Sequence, residues 1–394
     1  MHMLDRVNIG GARGLVPFDG KVVGVAMALL ALLAWQAQTT AGGNMAALAV
    51  VGALMGMTLY HASFGFTAAW RRFTSTGDGQ GLRAQMLMLG LAVCLFFPAL
   101  AAGELFGRPV FGFVMPVGVS VVIGAFIFGL GMQLGGGCGS GTLFTVGGGS
   151  TRMLLTLFFF IVGSVLAVGH LPFWYGLPNI GSVSAIATLG LWPALLLHLA
   201  CFAGIAALVF GIERRRGVSR APATAADWLK GPWPIFAGAV ALALLNFATL
   251  WLAGRPWGIT SAFVLWGGKG LDATGVELAT WTNWGGLMGP IESSIFFDVT
   301  SVMNFGIVLG AMAAAGLAGK FKPELALSRG DILSAVIGGL LLGYGARLAF
   351  GCNIGAFFSG IASGSLHGWV WLAAAFAGSV IGVRLRPLFG QSRT

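Results

Sequence analysis

Residues 120–144 read SVVIGAFIFGLGMQLGGGCGSGTLF, and residues 334–358 read SAVIGGLLLGYGARLAFGCNIGAFF. Each opens as an apolar, helix-length run and breaks into a glycine loop that holds one cysteine. Aligned at the offset 352 − 138 = 214, they agree at 11 of 25 positions, including Gly129/Gly343, Gly131/Gly345, Gly137/Gly351, Cys138/Cys352 and Gly141/Gly355. Chance apolar similarity does not align a lone cysteine between paired glycines, so the chain contains an internal repeat. A weaker pair precedes each run: FGFTAA at 64–69 and WGITSA at 257–262. Each half therefore carries a short GxT element and, later, a GxGxxLxxGCxxG element.

The surrounding composition says where such a run can exist. Of 394 residues, 57% are hydrophobic and only 9% charged, against about 25% charged in a soluble domain. A water-facing surface cannot be built from this chain, which excludes a soluble enzyme, a nucleic-acid module and a disordered chain, despite the net charge of +10. Apolar runs long enough to cross about 30 Å of hydrocarbon recur throughout. The reading is an all-α polytopic membrane protein, one transmembrane domain over 1–394. About ten crossings fall near 22–40, 45–62, 84–103, 113–134, 152–170, 189–212, 234–253, 299–319, 331–350 and 367–385. Four runs, 64–72, 139–148, 257–267 and 354–362, are too short to span and read as re-entrant half-helices, which survive at membrane depth only within protein or beside a wet cavity.

Charge sets the expected orientation, because Lys and Arg collect in cytoplasmic loops. With the N-terminus inside, 18 of the 22 basic residues fall inside, from Arg6, Arg13 and Lys21 through Arg152 and Arg220 to Arg393. The outside or the membrane keeps Arg108, Arg255, Lys269 and Arg347. Both termini are therefore expected in the cytoplasm, with an even number of crossings. The first apolar run follows a long leader with Asp5 and Asp19 and no small-residue cleavage site, so it reads as a helix and not a signal peptide. Repeat one, 45–170, holds four crossings and starts outside. The linking helix 189–212 then makes repeat two, 231–386, start inside, so the repeats are inverted about a pseudo-two-fold axis. Inverted repeats with interrupted segments at matching positions point to a transporter with a midplane site.

The glycine loops supply chemistry for an anion. In Gly137-Cys138-Gly139-Ser140-Gly141-Thr142, glycine permits close backbone approach, and a short helix starting there aims unpaired N–H groups and a positive dipole end at the site. Ser140 and Thr142 add hydroxyls. Gly351-Cys352-Asn353-Ile354-Gly355 is the second copy. Cys138 and Cys352 can donate S–H bonds to a soft sulfur anion or act as thiolates, whereas Cys94 and Cys201 read as small hydrophobes. Arg347, in the place of Gln133, is an intramembrane charge and so marks a pathway or snorkels to the headgroups. His61, which precedes the first GxT element, and Gly65, its glycine, join the candidate pathway, although His61, like His367, also reads as a packed histidine. Trp257, Trp266, Trp281 and Trp284 suggest an aromatic belt at the outer interface. No metal-ligand spacing, catalytic group or cofactor motif is present in the sequence.

At FGLGMQLGGGCGSGT (128–142), MNFGIVLGAMAAAGLAGK (303–320) and LGYGARLAFGCNIGAFFSG (342–360), with GITSAF (258–263), the chain resembles the YeeE/YedE family of bacterial sulfur transport proteins over roughly 45–386. The resemblance implies an hourglass-shaped inverted-repeat fold that takes up thiosulfate, with Cys138 and Cys352 as the central pair passing the anion by S–H contacts. It also implies a separate TusA-like sulfur carrier as partner. The family's first short element reads Phe-Cys where this chain has Phe64-Gly65, which leaves room for another sulfur or selenium species. Two other functions compete: a transmembrane thiol–disulfide relay, and a membrane subunit of a sulfur- or selenium-transfer system.

Overall fold

The computed structural model describes residues 18–218, 226–281, 283–323 and 325–393. Asp5, Arg6, Arg13 and Arg220, used above for orientation, lie outside the described residues. Seventeen α-helices follow in chain order among the described residues. They are α1 (Gly20–Ala41), α2 (Gly43–His61), α3 (Phe66–Thr76), α4 (Gln80–Ala102), α5 (Val119–Gly135), α6 (Gly139–Gly147), α7 (Thr151–Val168), α8 (Leu171–Tyr175) and α9 (Ala185–Leu189). Next come α10 (Leu191–Arg215), α11 (Ile235–Ala253), α12 (Thr260–Ala273), α13 (Gly285–Glu292), α14 (Val299–Leu317), α15 (Arg329–Leu348), α16 (Gly360–Ala362) and α17 (Leu366–Leu385). A π-helical turn, Asn353–Ser359, leads into α16. Among the described residues, ten helical segments are long and apolar enough to cross a membrane, and they overlie the ten runs read from the sequence. The chain is a multi-pass, all-α membrane protein.

The four short runs become α3, α6, α12 and the π turn with α16. The run at 113–134 starts its helix only at Val119, because Pro116–Gly118 forms a strand, β3, antiparallel to β4 (Asn179–Ser182). A smaller antiparallel pair joins β1 (Glu104–Leu105) and β2 (Arg108–Pro109).

Lipid tails are as apolar as leucine, so membrane helices associate by close packing and not by the hydrophobic effect. The chain does this with glycine. Gly52 and Gly56 of α2 lie against the backbone of Met303 and Ile307 on α14, and Gly306 and Gly310 of α14 lie against Ala49 and Ala53 on α2. Two facing GxxxG patterns thus bring two helix backbones into contact. A second contact joins α5 to α17 through Gly129 against Ala375 and Gly378 against Phe126. A third joins α15 to α7 through Gly343 against Phe160 and Gly163 against Leu340. Helices α5 and α15 also pack on each other, completing a central layer α17–α5–α15–α7. Helix α1 lies at the edge, on α14 and α2, with only Ala26, Leu33 and Ala37 buried. Cys94 and Cys201 are exposed, as expected of small residues on outward faces.

Two ion pairs tie helix ends together. Arg83 meets Glu213 at 3.3 Å, and Glu213 also accepts from the Gly79 amide at 2.9 Å. Helix α15 opens with a capping box between Ser328 and Asp331, and Asp331 also pairs with Arg152 at 3.4 Å.

The tryptophan reading needs correction. Trp257 and Trp284 are each only 1% exposed and cannot form an interfacial belt. Helix α12 packs back on α7 and α13 on α12, which turns these rings inward. Trp257 joins the main core and Trp284 a small cluster with Val264, Leu265 and Ile291. Trp266 donates to Ser301 at 2.8 Å. Of the four, Trp281 alone is exposed.

Candidate functional site

The first cysteine loop begins where α5 stops. Gly136 takes φ +91°, and a Cβ there would stand 2.6 Å from the Arg152 guanidinium; only glycine fits both conditions. Cys138 is then extended and caps α6. Its carbonyl accepts from both the amide and the hydroxyl of Thr142, each at 2.8 Å, and its Sγ lies 3.5 Å from Ser140 Oγ. Gly137 packs against Met153 and the Thr142 amide, and the Gly141 carbonyl accepts from Thr145 at 2.7 Å. The second loop repeats the plan. After α15 the chain turns through Gly351 at φ +151° to an extended Cys352, the cap of the π turn. Cys352 Sγ accepts from the Ile354 amide at 3.4 Å, and its carbonyl from Ala356 at 2.9 Å.

The two loops abut. A Cβ on Gly139 would stand 2.9 Å from Cys352 Sγ and 3.2 Å from Ile259 Cγ2, so glycine at 139 leaves the space in front of the second thiol. Cys138, Thr142, Cys352 and Asn353 have no exposed surface, and neither amide atom of Asn353 has a hydrogen-bond partner. Both thiols are free.

Cavities approach this junction from opposite ends of α15, whose 20 residues span about 30 Å. The first, of about 380 Å³, is lined by Arg255, Trp257, Ile259, Arg347, Gly351 and Gly355, among others. Tyr175 also borders it, donating to the Arg347 carbonyl at 2.8 Å. Burial pushes the Tyr175 hydroxyl pKa up, against the pull of the Arg347 charge, so it remains a neutral donor. The second cavity, of about 320 Å³, is lined by Tyr60, Thr145, Gly148, Arg152 and Lys322 among others. It meets α6 at the end far from Cys138.

Sequence reasoning missed what holds the segment before α12. Asn246 on α11 accepts from the Trp257 amide at 2.8 Å and donates to Ser359 at 3.4 Å. Ser359 donates to the Trp257 carbonyl at 2.6 Å, and Asn304 on α14 donates to the Ile259 carbonyl at 3.0 Å. The available signal was a single amide in each of two otherwise apolar spans. Asn246→Ala leaves the buried Trp257 amide unpaired and is expected to cost about 1–3 kcal/mol, read as a lower thermal midpoint of the purified protein.

Of the residues singled out from sequence, Gly137, Cys138, Gly139, Ser140, Gly141, Thr142, Gly351, Cys352, Asn353 and Gly355 come together at the junction, with Arg347 on the neighbouring cavity. His61 stands apart: it packs on Trp233 and Tyr60, with ring centroids at 5.3 and 6.0 Å. Gly65 caps α3 at φ −111°, and a Cβ there would meet only Ala68 at 3.7 Å. Nothing in the backbone requires glycine where the family pattern has cysteine. Among the described residues, no three His, Cys, Asp or Glu side chains gather as a metal site.

Residues 61–381 match the family described as Sulphur transport. The "Thiosulfate transporter TsuA" of Spirochaeta thermophila is 30% identical over 330 residues, covering 82% of this chain and 92% of that protein. The protein of the same name in Escherichia coli (strain K12) is 25% identical over 349 residues, 84% of this chain and 91% of its own. The "Probable transporter YedE" of the same strain is 36% identical, but over 164 residues, which span only 40% of that relative's length. The matched span takes in both cysteine loops, both arginines of the larger cavity and the central layer up to the last turn of α17, and on that ground the chain belongs to the Sulphur transport family, whose members are transport proteins and not enzymes.

Proposed function

We propose that the protein carries a small sulfur-containing anion, thiosulfate first, across the bacterial inner membrane. The observation that carries this reading is the abutting pair of cysteine-bearing glycine loops, with one cavity reaching the second loop at Gly351 and Gly355 and another opening at the far end of α6. The start of α6 offers N–H groups and a positive dipole end beside Cys138. Cys138 and Cys352 offer S–H donors and polarisable sulfur to the terminal sulfur of the anion. Thr142, Ser140 and Asn353 surround the same point, and Arg347 draws the anion toward it.

The repeats 45–170 and 231–386, related by a pseudo-two-fold axis, are the proposed architecture of the passage. In support, the α5–α17 contact has its counterpart in α15–α7, since Gly129 and Gly343 are paired in the repeat and each lies against a backbone carbonyl of the partner helix. The distribution of Lys and Arg supports both termini in the cytoplasm. The cavity with Tyr60, Arg152 and Lys322 would then face a separate TusA-like carrier.

The test is uptake of radiolabelled thiosulfate by cells that lack their own sulfate and thiosulfate importers. Expression of the chain is expected to restore uptake well above the empty-vector level. A well-inserted protein that restores none rules out thiosulfate and moves the search to another sulfur or selenium anion, the species that Gly65 leaves open.

A further inference from the structure

The two cavities stop at different distances from the cysteines. The larger one touches Gly351 and Gly355, on either side of Cys352. The smaller one, on the inner side by the charge reading, ends at Arg152 and touches none of the residues 136–141. The repeat pairs Gly351 with Gly137 and Gly355 with Gly141, so like positions border a cavity in one half and not in the other. What covers the first loop is the start of α7. The Arg152 guanidinium fills the space in front of Gly136, and the Met153 methyl stands 2.8 Å from where a Cβ on Gly137 would be.

Arg152 is held from three directions. Its guanidinium donates to the Leu134 carbonyl at 2.8 Å and to the Ser334 hydroxyl at 3.0 Å, and it pairs with Asp331 at 3.4 Å. Leu134 belongs to the last turn of α5, which leads into the Cys138 loop; Asp331 and Ser334 belong to the start of α15, which leads to the Cys352 loop. One side chain thus ties the two cysteine-bearing helices together at their inner ends. A planar fork of donors can serve a carbonyl, a hydroxyl and a carboxylate at once, and an ammonium cannot. The partial negative charge at the end of α5 strengthens the bond to Leu134. At the outer end the corresponding residue makes no such tie. His367, second in α17 as Arg152 is second in α7, bonds Ser365 at 2.7 Å, and its Nε2 has no partner among the described residues.

We infer that Arg152 is the latch of an inner gate: while it bonds Leu134, Ser334 and Asp331, the start of α7 shuts the Cys138 loop off from the inner cavity, and it must let go before cargo can leave. The structure is then the form open to the outer side and closed to the inner one. The inference rests on the transport reading for its purpose, but the closure itself can be measured without transport.

The test is the rate at which a membrane-impermeant maleimide labels Cys138 from the inner side. Cys94, Cys201 and Cys352 are replaced by alanine so that Cys138 is the single thiol, and inside-out and right-side-out vesicles are compared. When opening is fast relative to labelling, the rate tracks the population of the open form. With Arg152 intact, labelling from the inner side is expected to be slow. Arg152→Ala is expected to raise it about tenfold or more, as loss of a charge-assisted hydrogen bond implies, and Arg152→Lys to give an intermediate rate. Asp331→Asn is the gentler variant, since its side chain is 35% exposed and asparagine keeps an oxygen for the cap on Ser328. It too is expected to speed labelling. Gel filtration confirms that each variant is folded. Equal rates in Arg152→Ala and its parent overturn the proposal, and so does a gain that appears equally in right-side-out vesicles, because a general loosening has no side. Should the latch variants label faster from inside while wild type carries no thiosulfate, the latch stands and the transport reading fails. Should wild type carry thiosulfate while labelling ignores Arg152, the passage stands without this gate.

Discussion

Replacing Cys352 with alanine is expected to cut thiosulfate uptake by about ten- to a hundredfold, with no change in the amount of protein in the membrane. The junction is fully buried, and a charge moved into such a place without donors is strongly disfavoured. Donors must therefore meet the anion at each step. In front of Cys352 the neighbouring residue is Gly139, which has no side chain, and the next neighbour is the apolar Ile259. The thiol is the side-chain donor at that point. A charge-assisted hydrogen bond is worth about 1.5–3 kcal/mol, and each 1.4 kcal/mol added to a barrier slows passage about tenfold. Alanine is smaller than cysteine, and the acceptor it removes is a weak one, a sulfur 3.4 Å from the Ile354 amide, so the protein is expected to fold. Cys352→Ser separates the mechanisms. A hydroxyl still donates, so partial uptake is expected if the thiol acts as a donor; a relay that needs sulfur chemistry would be as dead in serine as in alanine.

Gly310→Leu is expected to remove folded protein altogether. A Cβ at this position would overlap the Ala53 carbonyl oxygen of α2, and backbone in a central helix cannot swing aside as a side chain can. Overpacking a core already costs about 1–3 kcal/mol where side chains can adjust; here two helices must separate along a whole face, and the contacts of Gly52, Gly56 and Gly306 go with it. The control is Gly24→Leu on α1, where a Cβ meets nothing within 4 Å. That variant is expected to accumulate and elute like wild type. Measured by fluorescence-detected gel filtration of detergent extracts, equal behaviour of the two variants would refute the glycine-contact account of the fold.

The ten crossings were legible because each is a run of apolar residues with flanking charge, and bilayer thickness converts run length directly into a spanning helix. The cysteine loops were legible for a different reason: the same glycines recur around one cysteine 214 residues apart, and only backbone geometry conserves glycine so closely within one chain. What stayed hidden depends on contacts between distant segments. Trp257 and Trp284 read as interfacial because they sit among charges such as Lys269 and Asp272, yet the fold-back of α12 and α13 buries them. Arg255 read as one more external charge, since no local pattern ties it to Arg347 at a separation of 92 positions (347 − 255 = 92). Asn246 and Asn304 stood out as amides in apolar spans, but that they and Ser359 clamp one segment was hidden for the same reason. The π form of the second half-helix has no signature in the string NIGAFFS, which differs little in character from the α-helical GSGTLFT.

The closed junction between two cavities also has an electrical meaning. If water fills both cavities, the membrane voltage falls mostly across the short dry stretch between them, and not evenly over the thickness of the bilayer. An ion feels almost the whole potential while moving past two cysteines. At about 2.3 kcal/mol per elementary charge per 100 mV, a dianion driven toward the negative side of the membrane faces a penalty of roughly 5 kcal/mol at that voltage. Uptake of a divalent anion through this passage should accordingly slow as cells hyperpolarise and quicken when an ionophore collapses the potential, unless a co-travelling cation cancels the charge.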